Sequence, residues 1–315
     1  MELIQGIDNF KAPLKGVVAT IGNFDGVHRG HRELIAALVA KAQRCQLPSL
    51  VMVFEPQALE YFSPASAPAR LMRGEDKAAA LAALGVDYVL LLSFDEAFSQ
   101  QSPDDFISGL LVSGANIKHL IIGDDFRFGK NRAGDFSLLK AAGLQHGFDV
   151  IDIASVLHAS ERVSSSLVRE VLAAADFERA EQLLCYPYFM TGTVVHGQAL
   201  GRTINVPTAN IPIERLRSPL KGVFAVCWVG QDGVDYQGVA NLGTRPSVNG
   251  EGELLEVHLF DCDADLYGST AQVTFLKKLR DEQVFAEFEL LKIQIAKDIK
   301  QAKSFFQQLS AENSK

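Results

Sequence analysis

Two histidines lie three residues apart where an apolar run gives way to a helical pattern. The segment ATIGNFDGVHRGHRELI places His28 and His31 at the entrance of that helix, so both imidazoles can face one bound group. A helix N-terminus offers free N–H donors, and Gly22, Gly26 and Gly30 let the backbone approach a phosphate closely. The spacing predicts a nucleotide site. The alternative is that these are turn glycines and surface histidines.

Two other kinds of phosphate-binding loop do not fit the sequence. The nearest match to a Walker A loop, Gly123 to Lys130, has five residues between its glycines and is followed by Asn131, so it lacks the magnesium-binding hydroxyl. No dinucleotide-type GxGxxG follows a predicted strand. The pattern favours nucleotidyl transfer, which needs charge neutralisation and alignment more than a nucleophilic side chain.

A second group of polar residues lies in the C-terminal part of the chain. In GRTINVPTAN, Thr208 and Asn210 are two residues apart, so in an extended chain their side chains point the same way. Their oxygens suit a magnesium ion shared with ATP, although Pro-Thr-x-Asn is also ordinary turn chemistry. In LLEVHLFD, Glu256 and His258 alternate with apolar residues. That pattern predicts either a catalytic carboxylate or the solvent face of a strand.

The elements around these residues indicate two domains, which we place at 1–185 and 186–315. In the first, apolar runs alternate with helical patterns, which is typical of an α/β domain with a parallel sheet covered by helices. Short runs broken by glycine and proline then predict an antiparallel β-barrel, and an apolar repeat from Val284 to Leu309 predicts a long terminal helix. The predicted strands of the first domain span residues 17–21, 50–54, 88–92, 120–122 and 149–153.

The composition argues against several classes of protein. The 315 residues are 48% hydrophobic and 22% charged, as in a globular chain with two cores. A net charge of −8 without a Lys/Arg block argues against nucleic acid or anionic membranes as partners. No segment approaches the ~20 apolar residues of a membrane span, and no signal peptide is evident, so we expect a cytoplasmic protein. We interpret the four scattered cysteines as reduced and mostly buried. Weak homo-oligomerisation is left open.

Three N-terminal segments resemble the bacterial bifunctional riboflavin kinase/FAD synthetase family. GNFDGVHRGH looks like its nucleotidyltransferase signature, and GDDFRFG at 123–129 and VSSSLVRE at 163–170 agree with it. The resemblance implies a Rossmann-like FMN adenylyltransferase domain in which His28 and His31 neutralise the triphosphate. It also implies contacts to the nucleotide from Gly22, Asn23, Phe24, Gly30, Ser165, Ser166 and Arg169, and to the flavin from Asp125, Phe126 and Phe128.

The C-terminal segments resemble the riboflavin kinase domain of the same family. PTAN matches its metal motif, which implies that Thr208 and Asn210 hold Mg²⁺. LLEVHLFD, with ANLGTRPSVNG before it and LKKLRDEQVF after it, implies that Glu256 is the base that deprotonates the ribityl 5′-hydroxyl. The further residues that the resemblance assigns are Gly201 and Arg202, which would bind ATP, and Arg280, which would bind the flavin.

A few residues depart from the family pattern. Asn205 stands where glycine is usual and Val206 where an aromatic residue is common. Asparagine tolerates positive φ better than other non-glycine residues, so we expect that loop to form. Cys185 and Tyr186 replace a usual Gly-Arg, which leaves the local geometry there open.

The resemblance implies that one chain phosphorylates riboflavin to FMN and then adenylylates FMN to FAD. The expected partners are ATP, riboflavin and FMN. One alternative is an adenylyltransferase for another acceptor, against which the kinase-like second domain argues. The other is a flavin-responsive binding protein without turnover, against which the retained histidines and Glu256 argue.

Overall fold

A computed structural model describes residues 1–197, 206–230, 233–247 and 250–312, and the chain divides into two compact units. The first unit comprises Met1–Pro68 and Gly74–Ser165, and the second comprises Ala69–Arg73 and Ser166–Lys315. The functional boundary that the sequence predicts, between residues 185 and 186, stays a prediction.

A six-stranded parallel sheet forms the centre of the first unit. Its strands are β1 (Glu2–Gln5), β2 (Val17–Ile21), β3 (Ser49–Glu55), β4 (Tyr88–Ser93), β5 (Ile117–Gly123) and β6 (Asp149–Ile153). Their order across the sheet is β1-β4-β3-β2-β5-β6. All five predicted strands are confirmed, two of them with their bounds. The edge strand β1 was missed because three of its four residues are exposed and no apolar run marks it.

Helices follow the strands, as the alternating pattern predicts. They are α1 (Arg29–Cys45), α2 (Ala58–Phe62), α3 (Gly74–Ala83), α4 (Glu96–Ser99), α5 (Pro103–Asp105), which continues as a π-helix (Phe106–Gly114), and α6 (Phe136–His146). Ser102 caps α5, because its hydroxyl accepts a hydrogen bond of 3.1 Å from the backbone N–H of Asp105. After β6, a small hairpin pairs β7 (Leu157–His158) with β8 (Glu161–Arg162).

The strand order places a crevice at the centre of the sheet. From β2 the chain moves outward to β3 and β4 on one side, and it then crosses to β5 and β6 on the other. In open parallel sheets such a reversal leaves a ligand-binding crevice at the carboxyl ends of the two central strands. Here these are β2 and β5, and the five residues of β2 are at most 4% exposed. A rigid, buried strand therefore leads into the crevice.

The second unit contains a nearly closed antiparallel barrel, as predicted. Its strands are β9 (Phe189–Thr193), β10 (Ala209–Pro212), β11 (Gly222–Gly230), β12 (Asp235–Ser247), β13 (Gly250–Leu259) and β14 (Thr270–Arg280). Their order is β10-β13-β12-β11-β14-β9. The two edge strands approach each other where the backbone N–H of Val195 donates to the carbonyl oxygen of Asn210 at 2.8 Å.

Three helices complete the second half of the chain: α7 (Ser165–Ala173), α8 (Phe177–Leu184) and α9 (Phe288–Glu312). The long terminal helix α9 is confirmed, and it packs on the barrel through Ala302 and Phe306, which meet Val223, Ala225 and Val239. The expected start at Val284 is wrong, because that side chain is fully exposed and the helix begins four residues later.

The cysteines differ from their sequence interpretation. All four are free thiols, but Cys45, Cys227 and Cys262 are half-buried and Cys185 is exposed, so "mostly buried" is wrong. Cys185 ends α8 in the left-handed region, with φ 66° and ψ 22°. Glycine is favoured at such a helix end, which gives a physical reason for the glycine that the family usually has there.

Candidate functional site

The two histidines lie where the loop after β2 enters α1, at the carboxyl edge of the parallel sheet. His28 is the N-cap of the helix and is 5% exposed. Its Nδ1 accepts a hydrogen bond of 3.3 Å from the backbone N–H of His31. Nδ1 is therefore unprotonated, and the proton of a neutral His28 ring is on Nε2. His28 thus accepts a hydrogen bond from a backbone N–H at the start of the helix and still has its own Nε2–H to donate.

The rings of His28 and His31 stack on each other. Their centroids are 3.6 Å apart with an interplanar angle of 16°, and the Phe24 ring lies 5.1 Å from His31. Burial lowers the pKa of His31 well below 6.5, and His28 and Lys77 lower it further. His31 is therefore neutral at pH 7. Its Nδ1 is buried and has no hydrogen-bond partner within the described part of the chain, so the site holds a polar atom whose partner must come from a ligand or water.

The loop between β2 and α1 adopts a strained path. Phe24 and Val27 have φ of 47° and 36°, and Gly26 has φ of 80°. A β-branched residue at positive φ costs on the order of 1–3 kcal/mol, and such strain collects at functional sites. A Cβ on Gly30 would lie 3.3 Å from Cε1 of His28 and 3.6 Å from the carbonyl oxygen of Val163. The small residue thus allows the ring to lie against the first turn of the helix.

The predicted nucleotide-binding residues of the first unit gather around this loop. Gly22 follows β2 and lies beside the ring of Phe24, which is 2% exposed, so Phe24 supports the loop from below. Asn23 is exposed. The hydroxyl of Ser165 donates to the carbonyl oxygen of Asp25 at 2.9 Å, which ties Ser165 to the loop.

The predicted flavin-binding residues follow β5, the neighbour of β2. Arg162 donates to Asp125 at 2.7 Å, and Asp124 accepts a hydrogen bond of 3.0 Å from the Ser155 hydroxyl. These ion pairs and hydrogen bonds hold the loop together. Phe126 and Phe128 stack with their centroids 5.8 Å apart. Phe128 is 5% exposed and belongs to the core, whereas Phe126 is half-buried, so Phe126 is the ring closer to solvent.

An exposed aromatic cluster at the carboxyl ends of β3 and β4 was missed. Its rings contact one another at centroid distances from 5.0 to 5.7 Å. Its members are Phe54, Tyr61, Phe62, Phe94 and Phe98. Tyr61 and Phe62 are 37% and 58% exposed, which is unusual for neighbouring aromatic residues. The adjacent aromatic residues at 61–62 were the sequence signal that could have indicated this cluster. The whole cluster is formed by three separate segments of the chain.

Two predicted nucleotide-binding residues belong to the second unit. Ser166 is exposed in the first turn of α7. The Nε of Arg169 donates to the carbonyl oxygen of Ala69. Arg215 donates to the carbonyl oxygens of Arg70 and Leu71 at 3.0 Å each. Both arginines therefore bind the segment Ala69–Arg73 through its backbone.

In the barrel, three polar residues lie side by side across neighbouring strands. Glu256 of β13 is paired with Asn210 of β10 on one side and with Asn241 of β12 on the other. Directly paired residues project from the same face of a sheet. The alternating Leu255 and Val257 are fully buried in the barrel, whereas Glu256 is half-buried on the opposite face. The predicted alternation is confirmed, and the register adds Asn241.

Thr208 lies two residues before Asn210, just ahead of β10. The Asn210 side chain is 6% exposed, and its Nδ2 donates to the carbonyl oxygen of Thr208 at 3.4 Å. Gly197 lies against that side chain so closely that a Cβ there would collide with it. His258 Nδ1 is 2.9 Å from the carbonyl oxygen of Pro207, which places a proton on that nitrogen.

Arg280 is engaged with the terminal helix. Its Nε and Nη2 donate to the carboxylate of Asp298 at 2.9 to 3.1 Å, and Asp298 is 3% exposed. The pair joins β14 to α9. Gly201, Arg202 and Asn205 lie outside the described residues.

A cleft of about 640 Å³ opens beside Thr208. The His196 and Tyr267 rings stack 3.8 Å apart at one side of it. Val194, Val257 and Leu259 contribute apolar surface, so the cleft combines aromatic and apolar walls with the hydroxyl of Thr208. Sequence reasoning missed it, because its walls come from four separate segments.

Comparisons with known proteins match each half of the chain separately. The model of the family described as FAD synthetase matches residues 10–167, and that described as riboflavin kinase matches residues 184–306.

Across the described ranges, none of the helices has the length and hydropathy to cross a membrane.

Curated proteins resemble the chain along nearly its whole length. A protein of Escherichia coli strain K12 named bifunctional riboflavin kinase/FMN adenylyltransferase is 50% identical over 97% of this chain and 98% of its own. The protein of the same name from Haemophilus influenzae is 47% identical over 97% and 99%. A crystal structure from Streptococcus pneumoniae, titled as a macrolide-efflux protein, has a TM-score of 0.75 and 27% identity, and the match covers 95% of this chain and 97% of that one.

Proposed function

The chain belongs to the bifunctional riboflavin kinase/FMN adenylyltransferase family, and we propose that its two polar sites catalyse the two ATP-dependent steps from riboflavin to FAD. The observation that carries this proposal is the succession of the two family matches along one chain, each of which contains one of the polar sites. The kinase step is assigned to the barrel and the adenylyl step to the parallel-sheet unit.

For the kinase step, Glu256 is the base. A carboxylate on the outer face of the barrel, beside two carboxamides, is accessible to a hydroxyl group and can take its proton as the oxygen attacks the γ-phosphorus of ATP. The ladder fixes its position, because Asn210 and Asn241 are paired with it in the flanking strands. His258, two residues further along β13, already donates to Pro207 and is the weaker candidate.

Thr208 and Asn210 fit a magnesium ion. Magnesium prefers oxygen ligands and usually takes only one or two from the protein, with substrate phosphates completing its shell. Because the amide nitrogen of Asn210 is directed to the Thr208 carbonyl group, its Oδ1 is the atom oriented for a cation. A bound magnesium ion would supply charge neutralisation for the transferred phosphoryl group. The protein's part is to hold the two oxygens in a fixed relation to Glu256.

The cleft beside Thr208 is the proposed site for the adenosine part of ATP. Its stacked His196 and Tyr267 offer flat surfaces to a purine, and its apolar walls exclude water. Gly201 and Arg202 are proposed to contact the phosphates.

For the adenylyl step, His28 and His31 stabilise the triphosphate as the FMN phosphate attacks its α-phosphorus. The N–H groups at the start of α1 and the glycine loop from Gly22 to Gly30 accept the phosphates. Without nucleotide, His31 is neutral. An approaching polyanion raises its pKa by favouring the imidazolium, so the ring gains charge when charge is needed. Asn23, Phe24, Ser165, Ser166 and Arg169 are the further proposed nucleotide-binding residues.

The flavin of the adenylyl step is proposed to bind between the β5 loop and the exposed aromatic cluster. Asp125 and Phe126 offer a carboxylate and a half-buried ring, which Phe128 supports from the core. Tyr61 and Phe62 offer the exposed planar surface that an isoalloxazine ring can cover. In the second unit, Arg280 is proposed to position riboflavin through its place between β14 and α9.

We also propose that the functional domains divide at residues 185 and 186 and that the chain works in the cytoplasm. Four free thiols suit a reducing compartment. The proposed function is tested by incubating the purified chain with riboflavin, ATP and magnesium and resolving the flavins by chromatography. FMN should appear first and FAD after it. Absence of both products would contradict the proposal.

A further inference from the structure

Three side chains at the amino edge of the parallel sheet form a group that neither proposed reaction uses. Cys45 ends α1, His119 lies in β5 and Asp149 begins β6. The sheet register places His119 beside Asp149, and Nδ1 of the histidine is 2.9 Å from Oδ2 of the aspartate. On the other side of the ring, Nε2 is 3.4 Å from Sγ of Cys45. The imidazole therefore lies between a thiol and a carboxylate.

One tautomer of His119 suits both neighbours, the Asp149 carboxylate beside Nδ1 and the Cys45 thiol beside Nε2. With its proton on Nδ1, the neutral ring keeps that N–H within 2.9 Å of the Asp149 carboxylate and leaves Nε2 to accept from the thiol. A nucleophile, a base within hydrogen-bond reach and a third group that orients the base are the features of an activated nucleophile. Burial and Lys41 lower the pKa of His119 more than Asp149 raises it, so the ring is neutral at pH 7 and can take a proton.

The other cysteines provide the contrast. Burial and Asp235 raise the pKa of Cys227, which makes its thiolate scarce. Cys185 is the most exposed of the four, yet across the described ranges neither it, Cys227 nor Cys262 has a histidine against its sulfur. Cys45 is half-buried, so the residue is not enclosed in the core. Only its environment supplies both access and a base.

We propose that Cys45 is a modification site at which the thiol exchanges with low-molecular-weight disulfides to form a mixed disulfide. The Cys45 proton passes to Nε2 of His119 as the sulfur attacks one sulfur of the reagent. The S–S bond of the reagent breaks, and the departing thiolate takes the proton back from His119. Cys45 is thereby oxidised and half of the reagent is reduced, and an excess of a small thiol reverses the exchange.

The modification site is remote from the proposed adenylyl site. α1 begins beside His28 and ends at Cys45, and its 17 residues span about 25 Å at 1.5 Å per residue. Exchange at Cys45 therefore leaves the histidines uncovered, and Cys45→Ser should keep both proposed activities.

The test is the reaction of the native full-length chain with an aromatic disulfide that releases a coloured thiolate, followed in time near neutral pH. The fastest phase should disappear in Cys45→Ser and persist in Cys185→Ser, and it should exceed the rate of the exposed Cys185 by about tenfold or more. Incubation with glutathione disulfide should add one glutathione, mapped by mass spectrometry to Cys45. If Cys45→Ser retains the fastest phase, the proposal is overturned.

Two further variants separate activation from simple exposure. His119→Gln removes the base and should slow the Cys45 reaction by about tenfold or more, while the other thiols keep their rates. Asp149→Asn, at a side chain that is 70% exposed, should slow it several-fold. Conversion of FMN to FAD by the same samples reports whether the first unit is folded. If His119→Gln is not folded, the result for Asp149→Asn alone decides whether the proposal stands. If Cys45 in the folded variants reacts within twofold of its wild-type rate, His119 and Asp149 do not activate the thiol and the proposal is overturned.

Discussion

The histidine pair of the first unit lies where a loop at the carboxyl edge of a parallel sheet enters a helix, whereas Asn210, Asn241 and Glu256 of the second unit lie within strands. His28 and His31 are three residues apart, and one helix entrance positions both. Asn210 and Glu256 are far apart in sequence and are paired by a ladder. Helix caps, backbone strain and burial position the side chains of a loop site, whereas the register of the ladder positions those of a strand site.

This difference determines which changes each site tolerates. At the loop site, a Cβ added to Gly30 would come no closer than 3.3 Å to a neighbouring atom, so a small shift is enough to accommodate it. At the strand site, Glu256 is held by ladders on both sides and Asn210 by one ladder and the bridge to Val195, so a clash has no easy relief. We therefore expect substitutions that remove a functional group to lower activity at both sites. Substitutions that only add bulk should lower activity more at the strand site.

The largest expected effect is that of Glu256→Gln on riboflavin phosphorylation. The variant keeps shape and hydrogen bonding but cannot accept the proton, so kcat should fall by roughly 10²- to 10⁴-fold. Glu253→Gln is the matched control, because this half-buried carboxylate lies on the same strand outside the polar row and should leave kcat within a few-fold. Phosphorylation by Glu256→Gln near the wild-type rate would remove Glu256 as the base and make His258 the next candidate.

His31→Ala should lower the rate of FAD formation from FMN by roughly 10²- to 10³-fold, the usual loss for one electrostatic contact to developing charge. Formation of FMN from riboflavin should be nearly unchanged. His146→Ala, at an exposed histidine in the last turn of α6, is the control. Normal FAD formation by His31→Ala would show that the pair only caps the helix.

A pair of glycine substitutions tests the steric part of the comparison. A Cβ on Gly197 would collide with the Asn210 side chain, so Gly197→Ala should lower the kinase rate about tenfold by displacing that carboxamide. A Cβ on Gly30 would lie 3.3 Å from the His28 ring, which a small shift relieves, so Gly30→Ala should lower FAD formation by only a few-fold. The reverse order of effects would contradict the distinction between loop and strand sites.

Two histidines with lowered pKa values, His31 and His119, make the stability of the first unit depend on pH. The folded pKa of His31 lies well below 6.5, so as the pH falls through 6.5 the unfolded chain binds a proton that the folded chain excludes. Stability should therefore be full above that pH and decline below it. His119 acts in the same direction, so His31→Asn should reduce the decline without abolishing it. Urea midpoints measured between pH 8 and pH 5 test this.

The smallest expected effect concerns Cys185. Because its φ of 66° is unfavourable for a residue with a Cβ, Cys185→Gly should raise the free energy of unfolding by roughly 0.5–1 kcal/mol. Cys185→Ala keeps the Cβ and should bring no gain. Equal stabilities of the two variants in a thermal unfolding assay would contradict this explanation.

Sequence reasoning reached furthest where information is local. The strands of the first sheet and the histidine spacing each depend on neighbouring residues, and the structure confirms the strands. The pairing of Glu256 with Asn210 and Asn241 depends on a register that no single segment encodes. The aromatic cluster and the cleft beside Thr208 were missed for the same reason. The start of α9 was placed too early because Val284 continues the apolar repeat in sequence while lying in solvent.

The central claim is that one chain holds two independent sites, and a complementation time course tests it most directly. Riboflavin, ATP and magnesium are supplied to His31→Ala, to Glu256→Gln and to an equal mixture of both variants. We predict that, in the time in which the wild-type chain forms FAD, His31→Ala accumulates FMN with little FAD, Glu256→Gln forms little FMN yet converts added FMN to FAD, and the mixture makes FAD from riboflavin. If either variant loses both activities while remaining folded, or if the mixture fails to make FAD, the account of two independent sites is contradicted.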